Sequence, residues 1–516
     1  MGLSRTILYC LWLRHDDKLS RERIQVLQQR RLRKMVRFAK ARSPFYQDRY
    51  RKIDPDAASF SVRDLPPTCK DELMADFDRV VTDPRLKLEE ILQWVRQPDN
   101  VGRWYKRRFV PTVTSGTTGA PGIFVYDRQE WDWIQAFSVT RGIRFKPSFF
   151  QFFAQAGKIL VSKVRVALVS VLNGHFVTFI LFRMTPKIGR LVSRFHFLSV
   201  VDPVDGLIEQ LNEIQPNVLH CYPTMLEVLA HAKLDGRLRI EPWVLTASSE
   251  PLTRPAREAI AQAFPASPLF ETYGTSEGVN LASECQFHRG MHVNTDYFVL
   301  ESVRADGSPV EPGEVGDKVY LSCLFSRTMP ILRYEIGDVT RPIAEPCPCG
   351  LPFPLIEVQG RTDDIFWVYD DQDRPVPLPP IPFEALFLNV DGLVQYQLIQ
   401  QERDLFRILY RVRDGADGAQ VGGQIRTRFM DYLAQKGIGK KVRLQIEAVE
   451  EIPRDPGSGK VRQIFSRVEQ LYLPGQPLGD RRRSDERRSG VERRAGRRES
   501  DRRQRERRGD EEDGGE

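Results

Sequence analysis

Nine consecutive residues, Thr114-Ser115-Gly116-Thr117-Thr118-Gly119-Ala120-Pro121-Gly122, gather four hydroxyls and three glycines directly after the apolar-leaning stretch 109–113. Glycine lets backbone N–H groups approach an anion closely, and the hydroxyls add donors. The composition suits a polyphosphate cradle. It is not a Walker A loop, because the G-x-x-x-x-G-K-[ST] spacing and its lysine are absent. A Ser/Thr/Gly linker has the same composition, so the loop alone leaves both readings open.

Four further segments follow in order. Glu271-Thr272-Tyr273-Gly274-Thr275-Ser276-Glu277 offers an aromatic face, a hydroxyl and a carboxylate within five positions. These could stack a base, bond a phosphate and hold Mg²⁺. Tyr334-Glu335-Ile336-Gly337-Asp338 places a carboxylate after a tight turn, suited to paired ribose hydroxyls. Gly360-Arg361-Thr362-Asp363-Asp364 stands where the composition changes, and residues 453–462 present Lys460 from a glycine-rich turn. Each alone has a plain structural reading: Tyr273 as core, Asp338 as a turn residue, Asp363 as a helix cap, Lys460 as a solvated charge. Five such segments in one order, at domain-scale separations, are hard to obtain by chance.

A second cluster is built of thiols. Cys347-Pro348-Cys349-Gly350 sets two sulfurs on one turn, and Cys285, His288 and His292 lie upstream. Three thiols and one imidazole make a closed Cys₃His zinc site of the structural kind. The alternative is three unrelated buried cysteines.

The elements that must position these groups can be read from the pattern. The chain has 516 residues, 41% hydrophobic and 10% aromatic, enough for a packed protein and too long for one core. Net charge is +8; the 37 residues from Asp480 carry 14 Arg against 12 acidic residues, leaving +6 on the rest. Neither value calls for a nucleic acid partner. Seven cysteines, at 10, 69, 221, 285, 323, 347 and 349, form no dense disulfide framework and suit a reducing compartment. The apolar run 6–13 is short for a signal sequence and lacks a cleavage pattern. The apolar stretch 166–182 is interrupted by Asn173, Gly174 and His175, which favours buried strands over a membrane span. A cytoplasmic protein without a transmembrane segment is expected.

Residues 19–42 read as a basic amphipathic helix with Ile24, Leu27, Leu32, Met35, Val36 and Ala39 at helical spacing, ending at Ser43-Pro44. Its basic face is either solvated or turned to a membrane or partner. Strand-like 159–170, helical 203–214, strand-like 217–222, helical 223–234 and strand-like 243–246 give the rhythm of a layered α/β domain. Beyond 360 a Pro-rich segment precedes strands at 393–400 and 404–412, a helix at 419–435 and a strand at 441–449. That is a small α+β unit of about 100 residues. The tail from Asp480 interleaves acids with Arg doublets and cannot bury a core, so it reads as a disordered, self-screening segment.

With these motifs in hand, the chain resembles the adenylate-forming superfamily of acyl-CoA synthetases, nonribosomal adenylation domains and luciferases. Within it, the sequence is most similar to the phenylacetate–coenzyme A ligase and capsule-biosynthesis adenylyltransferase branch. Residues 31–46, ending in Pro44-Phe45-Tyr46, and the pair Asp64-Leu65-Pro66-Pro67 and Lys70-Asp71-Glu72-Leu73 look like that branch's landmarks. The resemblance spans about residues 20 to 470. It implies a large N-terminal α/β domain (1–360, with a helical lead-in at 19–50), a small mobile α+β C-terminal domain (361–475), and ATP between them. Carried over, Thr114, Ser115, Gly116, Thr117, Thr118 and Gly119 would hold the pyrophosphate end of ATP. Tyr273 and Gly274 would meet adenine, Ser276 the α-phosphate and Glu277 Mg²⁺. Asp338 and Arg361 would hold ribose, Asp363 would sit at the hinge, and Lys460 would bridge carboxylate and α-phosphate. Gly122 stands where many superfamily loops have lysine, which removes one phosphate contact. The resemblance also favours His292 over His288 as the fourth zinc ligand.

The implied reaction joins a small carboxylic acid to AMP and then passes the acyl group to a thiol, most simply CoA. Transfer to an amine, a hydroxyl or a carrier protein is the same-chemistry alternative. A non-catalytic scaffold working through the basic tail is the alternative of another class, and the retained Glu277, Asp338 and Lys460 argue against it. The reading is compatible with a homodimer.

Overall fold

Short apolar runs alternating with amphipathic stretches build one large mixed sheet flanked by helices. The computed structural model describes residues 2–114, 122–142, 144, 163–358 and 366–468, apart from 173, 251, 253, 305, 371, 374, 379, 388, 389, 414, 439, 440 and 454–463. All of these lie in the unit Met1–Gln470.

Two helices open the chain, α1 (Gly2–Asp16) and α2 (Arg21–Arg42). Ser20 caps α2 by accepting from the Arg23 N–H, and Ile24, Leu32, Met35, Val36 and Ala39 are buried as the spacing predicts. A hairpin of β1 (Phe109–Val113) and β2 (Ile123–Asp127) follows, with Val113 opposite Ile123. It leads into α3 (Arg128–Arg141), whose first turn is closed by a capping box between Asp127 and Glu130. The Glu130 carboxylate also accepts from the Thr328 N–H at 2.7 Å, which ties α3 to a distant loop.

At the far end of α3, Arg141 is fully buried. Its guanidinium holds Asp296 with two bonds of 2.7 and 2.8 Å, reaches the Leu13 carbonyl at 3.1 Å, and lies 3.0 Å from Asp17. A buried cation needs such enclosure, because removing it from water costs several kcal/mol.

The parallel strands β3 (Val164–Ser170), β4 (Ser193–Ser199), β5 (Val218–Cys221), β6 (Val244–Ser248) and β7 (Leu269–Tyr273) are followed by short antiparallel strands β8 (Ala282–Glu284) and β9 (Met291–Val293). Next come β10 (Phe298–Val303), β11 (Lys318–Cys323) and β12 (Tyr334–Ile336), which form a separate three-stranded sheet, then β13 (Thr340–Ile343) and β14 (Leu355–Val358). The nine-stranded sheet runs β13-β14-β9-β8-β7-β6-β5-β3-β4. Its central strands are apolar along most of their length because both faces are covered. The crossover helices include α4 (Val177–Arg183), α5 (Val204–Ile214), α6 (Pro223–Leu234) and α7 (Arg254–Ala263). The expectation of buried strands across 166–182 is corrected here: β3 ends at Ser170, Gly174 turns at φ +103°, and the rest is α4, buried through Phe179 and Ile180.

Residues 366–466 add the hairpin β15 (Phe366–Tyr369) and β16 (Pro375–Leu378), then β17 (Leu393–Glu402), β18 (Leu405–Val412), α8 (Gly418–Gln435), β19 (Arg443–Ala448) and β20 (Ile464–Ser466). The last four strands form one sheet, ordered β19-β18-β17-β20. Just past α8, the Lys436 ammonium donates to the Val200 and Asp202 carbonyls at 3.1 and 3.0 Å. Burial pushes this amine down to about 8. Among the described residues, no helix is long and apolar enough to cross a membrane.

Candidate active site and thiol cluster

The hydroxyl-rich loop leaves the sheet through a pinned neck. The Thr114 N–H donates to the Gly122 carbonyl at 2.9 Å, and the Gly122 N–H returns a bond to Thr114 Oγ1 at 2.8 Å. Residues 115–121, with Ser115, Gly116, Thr117, Thr118 and Gly119, lie outside the described residues. The neck is held against a segment more than 160 positions away: Ser276 Oγ donates to the Val113 carbonyl at 3.2 Å. The Ser276 carbonyl in turn accepts from Tyr126 Oη at 2.6 Å and from Thr112 Oγ1 at 3.4 Å. Thr112 and Tyr126 were not singled out from sequence. The available signal was a fully buried hydroxyl in an otherwise apolar strand, Thr112 in β1, since such a group must find a partner.

The third segment joins the same place. Tyr273, the last residue of β7, donates its hydroxyl to Asp338 Oδ2 at 2.8 Å. Gly274 is required by crowding: a Cβ there would meet the Val279 carbonyl oxygen at 1.7 Å. Glu277 is buried. Burial, reinforced by the Asp338 charge, holds its carboxyl above the ordinary range. Thr114, Tyr273, Gly274, Ser276, Glu277 and Asp338 thus converge at the carboxyl ends of the parallel strands, where the sheet switches to antiparallel pairing between β7 and β8. In open α/β sheets, ligands bind in the crevice outside the carboxyl ends of the parallel strands. Arg361, Asp363 and Lys460 lie outside the described residues.

One further acid stands at this edge. Glu250, two residues past β6, accepts from Thr224 Oγ1 at 2.7 Å and from the Thr224 N–H at 3.3 Å. Burial pushes its carboxyl up to about 7 from the ordinary 4.5. The native state therefore binds this proton more tightly than the unfolded chain. That contribution to stability is full below pH 4.5 and is lost as pH rises to about 7. Glu250→Gln, which mimics the protonated acid, is expected to be more stable than the parent at pH 8 by about 3 kcal/mol, with the gap closing toward pH 4. Urea unfolding at several pH values checks this, and a gap that does not change with pH would reject it.

The thiol cluster assembles on the antiparallel edge. Cys285 follows β8, His292 lies in β9, and Cys347 and Cys349 sit on the turn between β13 and β14. The ligand atoms of these four residues all lie within 4.8 Å of one another. Cys285 Sγ is 3.5 Å from Cys347 Sγ, and Cys349 Sγ is 3.3 Å from His292 Nε2. The other ring nitrogen, Nδ1, is 3.2 Å from the Phe353 carbonyl, which fixes the tautomer that leaves Nε2 as a ligand. Burial pushes the imidazole down to about 4, so it is neutral. Gly350, at φ +75°, makes the turn that lets both sulfurs face inward. His288 stands apart, with its Nδ1 3.3 Å from Glu284 Oε2 and 3.4 Å from the Arg257 guanidinium. Buried Arg144, bridged to Cys285, spans Ser283 Oγ and Asn294 Oδ1 and adds a positive charge beside the cluster.

This architecture is the fold of the adenylate-forming ligases. It matches 2-hydroxyisobutyryl-CoA ligase, solved with 2-HIB-AMP and CoA, at a TM-score of 0.56 and 18% identity, covering 88% of this chain and 91% of that one. In sequence the chain is similar to the phenylacetate–coenzyme A ligase of Thermus thermophilus, with 25% identity over 446 residues, 83% of this chain and 87% of the relative. It is also similar to the protein CapK of Staphylococcus aureus, with 21% identity over 458 residues, 86% of this chain and 89% of the relative. No family model matches the chain. The resemblance read from the motifs is thereby borne out in fold and in branch.

Proposed function

We propose that this protein is an AMP-forming carboxylic acid–CoA ligase. The observation that carries the reading is the convergence of the loop neck at Thr114 and Gly122 with Ser276, and of Tyr273 with Asp338, past the carboxyl end of β7. The similarity to phenylacetate–coenzyme A ligases supports the reaction class.

A carboxylate attacking an α-phosphate brings two anions together, so the chemistry needs fixed positive charge and donors at the α-phosphate. Glu277 and the hydroxyl-rich loop have the donor chemistry to hold MgATP, and a bound Mg²⁺ would offset phosphate charge. Ser276 now spends its one hydroxyl proton on the Val113 carbonyl and would turn it to the α-phosphate. Tyr273 would stack on adenine, Asp338 and Arg361 would hold the ribose, and Asp363 would mark the hinge. Lys460 would neutralise the carboxylate and phosphate in the transition state. Pyrophosphate leaves, and the CoA thiol then attacks the acyl carbonyl of the adenylate, forming the C–S bond and releasing AMP. Closure of the small 361–475 domain would keep water from the labile anhydride.

The test is acid-dependent ATP–pyrophosphate exchange across a panel of aryl and short-chain acids, followed by AMP release with CoA. Exchange with at least one acid and CoA-dependent AMP release are expected. Exchange that amines, hydroxylamine or a carrier protein complete but CoA does not would move the acceptor. No exchange with any acid would favour a scaffold instead.

We infer further that Cys285, His292, Cys347 and Cys349 hold a structural zinc ion. A tetrahedral site with Zn–S bonds of about 2.3 Å spaces its sulfurs by about 3.8 Å. The donor set is close to that spacing and leaves no ligand position for substrate.

A further inference from the structure

Helix α1 is apolar on both sides, and only one side is covered. At about 100° per residue, Thr6, Tyr9, Leu13 and Asp16 share one face. These four are buried, and the face packs against α3, with Tyr9 stacked on Trp133 at 3.9 Å between ring centroids. On the opposite side, Ile7, Leu8, Leu11 and Trp12 are 49%, 41%, 57% and 47% exposed. Four large apolar side chains on about 140° of one helix are not scattered surface residues.

The surroundings of the stripe are cationic. Arg14 and Lys18 are exposed at the end of α1, and Arg21 and Arg23 are exposed at the start of α2. None of the four makes an ion pair among the described residues. The nearby acids are mostly spent: Asp16 and Asp17 lie against Arg31 and Arg141, and Asp132 against Arg5, which leaves Glu22 exposed. A cleft of about 320 Å³ adjoins the stripe, walled by Tyr9, Trp12 and Trp133 and carrying exposed Lys34 and Arg327; its two acids, Asp127 and Glu130, are engaged by backbone N–H groups of α3 and of the loop at Thr328. Trp12 therefore stands where the apolar stripe meets a polar, positive rim.

We propose that α1 docks this protein on an anionic lipid surface. Ile7, Leu8, Leu11 and Trp12 enter the headgroup boundary, and Arg14, Lys18, Lys34 and Arg327 face the lipid phosphates. The helix has 15 residues and spans about 22 Å, short of the roughly 30 Å hydrocarbon core, so it lies in the interface and does not cross. An apolar stripe alone would fit another protein equally well. The unpaired cations around it and the tryptophan at its margin fit a lipid interface. This inference does not rest on the ligase reading.

The full chain should sediment with phosphatidylcholine vesicles containing phosphatidylglycerol, and much less with phosphatidylcholine alone. The paired change Leu8→Asp and Leu11→Asp is expected to weaken binding by about tenfold or more. Arg14→Glu with Lys18→Glu, or raised salt, should abolish the preference for phosphatidylglycerol. Val26→Asp, at a still more exposed apolar position on α2, should change nothing. All of these positions are exposed, so the variants should keep the parent's melting temperature, and they are compared only where they do. The idea is overturned if the parent binds neither vesicle, if the stripe variants bind like the parent, or if they dissolve a dimer in solution without affecting sedimentation.

Discussion

Replacing Glu277 by glutamine is expected to lower acid-dependent ATP–pyrophosphate exchange by about 10²–10³-fold, and, by the same linkage as at Glu250, to raise rather than lower stability above the raised pKa of the acid. The glutamine keeps the shape of the side chain, but it carries no charge for a divalent ion. The site is buried and already holds Asp338 close by, so no solvent or neighbouring mobile acid replaces the lost charge. The burial that makes Glu277 effective also makes it a poor acid. Its carboxyl is held above the ordinary range, so metal binding fails at a higher pH than it would with an exposed glutamate. Activity should therefore fall as pH drops through this raised value, and added Mg²⁺ should move the acid limb downward by competing with the proton. Glu277→Asp should recover part of the exchange at high Mg²⁺. Exchange in Glu277→Gln at the parental rate, or an acid limb that ignores Mg²⁺, would remove Glu277 from the metal site.

The second large effect is expected from metal. The purified protein should carry one zinc, and Cys347→Ser, Cys349→Ser and His292→Ala should each lose it, while His288→Ala should keep it. A ligand present at a thousandfold its dissociation constant contributes about 4 kcal/mol, so chelation should lower the melting temperature by a clear margin. The loss should also reach the active site, because the four ligands bind the strand after Glu277 to the turn after Asp338. Without the ion, buried Cys285 and a neutral imidazole stay packed against the two half-buried thiols of Cys347 and Cys349. Burial then pushes Cys285 up to about 12. Elemental analysis decides the matter: a parent without zinc, or serine variants that retain it, would leave an ordinary thiol cluster.

Much of this was legible in the chain. Helical spacing predicts α2 with its buried Ile24, Leu32, Met35, Val36 and Ala39, because burial and period are the same information. The strand–helix alternation from β5 to β6 likewise gives a layered α/β sheet. Within the site, sequence order alone marks Tyr273, Ser276, Glu277 and Asp338. It does not reveal that Tyr273 bonds Asp338, since contacts between distant segments depend on strand order, which no local pattern encodes. Thr112 and Tyr126 escaped for the same reason: their value lies in a carbonyl, that of Ser276, which any residue would supply. The resemblance favours His292 over His288, but the geometric reason needs register, because β9 must pair with β14 before His292 can face the two-cysteine turn. The 166–182 stretch was read by hydrophobicity, which cannot separate a buried strand from a buried helix.

The burial of Arg141 has a practical consequence for the opening helix. Two of its contacts, the Leu13 carbonyl and Asp17, belong to the first 17 residues of the chain. The N-terminal segment is therefore not a detachable anchor. Trimming it to make a more soluble protein would strip a sealed guanidinium of part of its enclosure and let water into the junction of α1 with α3. A truncated protein that precipitates or loses activity would report on that broken seal and would say nothing about lipid. Genetic tags and proteolytic nicks placed before Asp17 carry the same hazard, and single substitutions on the outward stripe avoid it.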